Sequence, residues 1–201
     1  MFPDLFRDDV FRIETRRLWL RWPSARDAEA LQRLGGDPAV AGMNANIPCP
    51  LDRVSADAFV LASRAGNATG ISLNLVLCER ARPGLPIGVI AIERGDEAGA
   101  PRLGSWLGRP FWGDGLTTEA TAALVHAWFA WTGAGRLDAS ARVNNPAARR
   151  VLERTGFVWT GRGMAQAPAR GGVHEVDRFR LDRGRWLAHA EDDHPALAAA
   201  E

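Results

Sequence analysis

The chain has 201 residues, 46% of them hydrophobic, and a formal net charge of +1. That length fits one domain with a real core, and the near-neutral balance gives no bulk field toward nucleic acid or a membrane surface. All 25 basic residues are arginines and tyrosine is absent, which excludes a lysine amine or a phenol from any catalytic role.

Met1 to Val10 carries three aspartates and no apolar run, so no signal peptide is expected. Phe11 to Arg21 alternates Ile13, Leu18 and Leu20 with arginines and predicts a first strand. Ser24 followed by Asp27 resembles a capping box, and Ala28, Leu31 and Leu34 continue it as a short helix. Gly35 to Pro50 is broken by glycine and proline; such a loop is either a connector or one wall of a substrate site. Asp52 is expected to cap a second helix, with Val54, Ala58, Leu61 and Ala65 facing inward and an end near Gly66.

Ile71 to Cys78 and Ile87 to Glu93 are strand-like, on either side of a turn at 80–84. Gly95 to Ala100 is another turn, and Leu103 to Leu107 a further strand. In the long helix that follows, Leu116, Ala120, Ala123, Leu124, Ala127, Trp128 and Trp131 form one apolar face. Leu137 to Val143 is a strand. Pro146 to Thr155 is a helix with Asn145 before it and Gly156 just past its end. Phe157 to Thr160 and Val173 to Leu181 are the last strands. The order predicts a mixed α/β sheet of six to seven strands with helices on both faces. The expected organisation is one domain over residues 1–190 and an acidic, alanine-rich tail at 191–201. Two cysteines, Cys49 and Cys78, make no disulfide framework, and no segment has the length of a membrane span. Together these favour a cytoplasmic protein. Without clustered histidines a metal site is not expected.

The most informative segment runs from Trp106 to Ala120. A strand enters a turn with two closely spaced glycines, Gly113 and Gly115, and leaves as a helix. Such a junction aims free backbone N–H groups at one point and can hold a phosphate or pyrophosphate without a lysine. It is neither a Walker A loop nor G-x-G-x-x-G. From the pattern alone, an anion site and a plain glycine turn before a buried helix stand equal.

Four segments in order carry a resemblance to the GNAT acyltransferases, in their RimJ/RimL-like branch. Residues 13–21, IETRRLWLR, are similar to that branch's ETxRLxLR opening. Residues 103–107, LGSWL, resemble its IGYWL strand. Residues 112–120, WGDGLTTEA, resemble its WGxGxATEA loop. Residues 145–157, NPAARRVLERTGF, are similar to NxxSxxVLEKxGF. The resemblance implies the GNAT fold, a mostly antiparallel twisted sheet, and acetyl-CoA as acyl donor with CoA as product.

The resemblance also implies roles. Backbone N–H groups of Trp112, Gly113, Asp114, Gly115, Leu116 and Thr117 would hold the pyrophosphate at the helix N-terminus. The pantetheine arm would lie along the strand ending at Trp106 and Leu107, in a gap before Leu137 to Val143, bonding like an added strand. A backbone N–H near Leu107 would face the thioester carbonyl and stabilise its developing charge. Asn145 would contact pantetheine, and it also reads as the N-cap of its own helix. Arg149 and Arg150 could reach CoA phosphates, or sit on a solvated helix face.

Three positions depart from the branch. Ala148 stands where a hydroxyl residue would protonate the leaving thiolate. Asp114 places a carboxylate in the pyrophosphate loop, and Arg102 falls where many relatives carry glutamate. Ser105, at the branch's usual tyrosine, offers a hydroxyl. Glu93, at a strand end, is the candidate base for the attacking ammonium, with His174, Glu175 and Asp177 as alternatives; for each of these a surface place or a structural ion pair is the stronger reading. His126 and Cys78 read as packing residues. The expected activity is N-acetylation of a primary amine by direct attack. The acceptor is a protein N-terminus or a small molecule such as an aminoglycoside, polyamine or amino acid. The rival is a weakened acyl-CoA-binding sensor or interaction module; a third reading is another donor such as succinyl-CoA. Neither nucleic acid nor membrane is an expected partner. Trp19 and Trp22 read as exposed, and with dimers frequent among relatives they leave a homodimer as an open expectation.

Overall fold

The computed structural model describes residues 11–95 and 100–193. Its sheet has eight strands: β1 (Arg12–Glu14), β2 (Leu18–Arg21), β3 (Leu73–Glu79), β4 (Pro86–Arg94), β5 (Pro101–Leu107), β6 (Arg136–Arg142), β7 (Val158–Ala167) and β8 (Gly172–Asp182). They lie in the order β1-β2-β3-β4-β5-β6-β8-β7. Only β5 and β6 run parallel; every other pairing is antiparallel. The helices are α1 (Ala28–Gly35), α2 (Pro38–Ala41), α3 (Arg53–Thr69), α4 (Leu116–Trp131), α5 (Pro146–Arg154) and α6 (Arg183–Asp193).

Strand alternation sorts the core onto two faces. On β3, Leu73, Leu75 and Leu77 enter a cluster with Leu116, Ala120, Leu124 and Phe129 of α4. Val76 and Cys78 point the other way, onto Ala28 and Leu31 of α1 and Ala56 and Val60 of α3. Beneath α1, the fully buried Asp27 accepts two hydrogen bonds from Arg21, each 2.8 Å, and one from the Ser24 N–H at 2.7 Å. Removing one partner of such a pair costs about 3–5 kcal/mol, because it leaves a buried charge uncompensated.

Several expectations change. The expected first strand is two, because the Thr15 hydroxyl accepts the Leu18 N–H (2.9 Å) and closes a turn. That raises the strand count to eight. The second long helix shows the opposite face: Ala56, Val60, Ser63 and Asn67 are buried, whereas Val54, Ala58, Leu61 and Ala65 are exposed. Polar Asn67 belongs inside because its amide bonds the backbone of Asn74 in both directions, at 2.9 and 2.7 Å. The helix also runs past Gly66 to Gly70, whose left-handed φ of 69° ends it. In α4, Trp131 lies outside the apolar stripe, 45% exposed against Phe11.

β7 extends to Ala167 rather than Thr160. The segment 161–167 has no strand-forming side chains, but its backbone completes the ladder with β8. α6 had no sequence signal; it is fixed by Trp186 stacked on Phe129 at 5.3 Å. It runs past residue 191, where the tail was expected to begin. Residues 1–10, most of the turn at 95–100, and 194–201 lie outside the described residues. Trp22 is buried and Trp19 half-buried beneath the Arg12 guanidinium, which corrects their expected exposure.

Candidate active site

β5 and β6 pair only at Arg102↔Asp138 and Leu103↔Ala139. Beyond those positions β5 remains bonded to β4 through Leu107 and β6 remains bonded to β8 through Arg142. The two strands therefore splay, leaving a gap in the centre of the sheet. The Gly108 N–H donates to Ile87 on β4 (2.8 Å). By alternation, Leu107 turns its backbone polar groups away from β4, toward the gap. Its carbonyl accepts the indole N–H of Trp112 at 2.6 Å, tying the strand end to the turn that follows.

In that turn Gly113 has φ 95° and Gly115 φ 73°. Both lie in the region glycine occupies without a Cβ penalty. Gly115 is the N-cap of α4 and has no side chain to cap with; the first helical bond runs from the Glu119 N–H to its carbonyl. The N–H groups of Leu116, Thr117 and Thr118 have no intrahelical acceptor. The Leu116 side chain is in the core, so only its backbone is available. Trp112, Gly113, Asp114 and Gly115 are exposed.

A support that sequence reasoning missed lies beneath this turn. Glu119, in the first turn of α4, accepts from the Thr15 hydroxyl (2.6 Å), the Arg17 N–H (2.8 Å) and the Arg17 side chain (2.6 Å). Arg17 also donates to the Asp114 carbonyl at 2.8 Å. Burial works against the charged form of Glu119, yet the Thr15 and Arg17 donors hold its carboxyl below the usual range. The first and third motif segments thus join as one unit, about a hundred residues apart in the chain. Their separate resemblances were the only signal.

Opposite the α4 face, a cleft of about 660 Å³ runs between α3, the 43–48 loop and β4 to β8. Glu93 and Arg102 sit directly opposite each other on β4 and β5, on this face, with Trp106 two repeats of the pleat further along. Ser105 pairs with Ile90, a core residue beneath α4, so its side chain leaves the other face at the open gap. The structure does not put Glu93 and Ser105 side by side. The Gly35 to Pro50 loop contains α2 and forms a wall of the cleft, through Met43, Asn46 and Ile47.

Asn145 caps α5, its side-chain oxygen accepting the Ala148 N–H (3.1 Å), and both residues line the cleft. Its carboxamide NH₂ is not used in capping. Arg149 bonds Glu153 (2.8 Å) and lies 3.5 Å from Asp177. Asp177 is buried and is also approached by Arg162 and the Trp159 indole, at 3.2 and 3.0 Å. Arg150 and Glu175 are exposed, and His174 lines the cleft. His126 is exposed beside Trp186. Burial pushes the Cys78 thiol up to about 11. Among the described residues no three His, Cys, Asp or Glu gather as a metal site, and no helix is long and apolar enough to cross a membrane.

A family model described as an acetyltransferase (GNAT) domain matches residues 17–158. This chain belongs to the GNAT acetyltransferase family. Among solved structures it is similar to RimL, a ribosomal L7/L12 α-N-protein acetyltransferase in complex with coenzyme A. That match has 19% identity and TM-score 0.74, covering 86% of this chain and 98% of that one. RimJ of Mycobacterium smegmatis, in complex with CoA-disulfide, matches at 19% identity and TM-score 0.69, with 86% and 89% covered. The ribosomal-protein-S5-alanine acetyltransferase of Vibrio fischeri matches at 15% identity and TM-score 0.72, with 88% and 98% covered. At these identities the likeness is one of fold. No curated protein matches.

Proposed function

We propose that this acetyltransferase moves acetyl from acetyl-CoA to a primary amine by direct attack, within a single catalytic domain. The observation that carries the reading is the pairing of β5 and β6 at two positions only, beside a helix N-terminus that no side chain caps. The gap suits an extended, amide-rich arm bonding as a strand would. The free N–H groups at 116–118 and the open backbone of Gly113 and Gly115 suit a pyrophosphate. Asn145, with unused donors at the gap, is a contact for the arm. Arg149, held by two carboxylates, is better placed to order α5 than to reach a phosphate.

When bound, acetyl-CoA supplies an activated acyl group on a thiolate leaving group. The chain's own contribution is position and charge. The Leu107 N–H, turned to the gap, is the donor for negative charge developing on the thioester oxygen. Glu93 takes the proton of the incoming ammonium; among the described residues it has no ion-pair partner. Ser105 is a hydroxyl on the donor side of the gap. With alanine at 148, the thiolate leaves without a hydroxyl acid there. Holding amine and thioester together can supply about 7–11 kcal/mol of the barrier, whereas a general acid typically contributes about 10²–10⁴-fold.

The test is thiol release from acetyl-CoA across a panel of amines, including short peptides beginning with Ala or Ser. Amine-dependent release supports the reading. CoA binding without release would leave an acyl-CoA-binding module, and no CoA binding would overturn both.

A further inference from the structure

Arg142 ends β6 and is half-buried in the wall of the cleft. Alternation along β6 puts Leu137, Ala139 and Ala141 in the core beneath α4 and turns Arg142 to the same face as Glu93. Its hydrogen bond goes to the Gly42 carbonyl, and among the described residues it pairs with no carboxylate.

Two other half-buried arginines provide the contrast. Arg170 bonds the carbonyls of Ala41, Ile47 and Ala169, and Arg183 those of Phe129, Thr132 and Ala134. Each spreads its donors over three carbonyls as a clamp between segments, and neither lines the cleft. Arg142 gives one carbonyl a bond and leaves the rest of a five-donor fork beside the cleft. A guanidinium kept partly out of water without a counter-ion fits a bidentate anionic ligand.

We infer that the acceptor amine carries a carboxylate, and that Arg142 receives it while the amine lies toward Glu93. This deepens the acyltransfer reading above and rests on it. Glu93 is level with Arg102 and Asp138, where β5 and β6 still pair, and Arg142 is four residues further along β6. That offset is about 13 Å at strand rise, and the side chains shorten it. The acid is therefore several bonds from the amine rather than on the same carbon. Two sources share this chemistry: a free ω-amino acid, or a peptide N-terminus followed by an acidic residue.

The experiment compares matched acceptors at saturating acetyl-CoA. One arm uses 6-aminohexanoate against 6-aminohexanamide, the other Ala-Asp-Ala-amide against Ala-Asn-Ala-amide. The wild-type chain should favour the acid in one arm by about tenfold or more in kcat/KM, the usual scale of a hydrogen bond to a charged group. The arm that responds identifies the source. Arg142→Gln should bring that ratio to about one, Arg142→Lys should keep it above one, and Arg142→Glu should invert it. Release with neutral amines at a ratio of one in both arms overturns this inference and leaves the acyltransfer reading intact. No release with any amine overturns both. A preference for succinyl-CoA over acetyl-CoA that Arg142→Gln abolishes, without acceptor preference, would assign the charge to the donor and also overturn it. Should the variants fail to fold, the wild-type ratios alone decide.

Discussion

The turn at 112–117 and the cleft lined by Glu93 and Arg142 are made of different materials. The turn is six consecutive residues, two of them glycines with positive φ, and it offers backbone N–H groups beyond Trp112, whose own N–H is given to the Arg109 carbonyl. The cleft is assembled from residues of three helices, a loop and six strands, brought together from segments far apart in the chain. A backbone site depends on local conformation and tolerates changes of side chain, so a family can keep it while its acceptors diverge. A side-chain site changes with every substitution in its walls. On the proposed reading, the donor end states the chemistry and the acceptor end states the substrate.

Three variants sharpen that division, from the largest expected effect down. Glu93→Gln should lower kcat by about 10²–10⁴-fold, the usual contribution of a general base, with CoA affinity unchanged by calorimetry. An equal loss in CoA affinity would break the separation of the two ends. Glu119→Gln removes a carboxylate that holds Thr15 and Arg17, costing about 1–3 kcal/mol of stability. Its folded pKa is lowered from the ordinary 4.5, so its contribution is full above that value and is lost as pH falls through the folded pKa. The melting temperatures of wild type and Glu119→Gln should therefore differ at neutral pH and converge in acid. Parallel curves down to low pH would contradict the sign. Gly115→Val forces a β-branched residue to φ 73°. With about 1–2 kcal/mol of strain, CoA dissociation constants should rise about tenfold while acceptor preference is unchanged. A shift in acceptor preference instead would show the two ends coupled.

The local structure of the glycine turn was largely legible because its signal is local. Gly113, Gly115 and the apolar period of α4 lie within twenty residues, and the resemblance placed them between a matched strand and a matched helix. The Thr15–Arg17–Glu119 support was not legible, since nothing local links the turn between β1 and β2 to α4. The inverted face of α3 failed for a related reason. Its apolar residues suggested one stripe, but Asn67 reached two backbone partners on β3 and outweighed them.

From the sequence alone came most of the order of elements and, through four motif segments, the family, because periodicity, capping and turn chemistry act over a few residues. Tertiary structure alone decided that β5 and β6 part after two pairings, that Glu93 faces Arg102 while Ser105 leaves the other side, and that Arg142 in the cleft meets no carboxylate among the described residues. Each of these depends on register and on which charges meet across strands, quantities fixed only when distant segments pack.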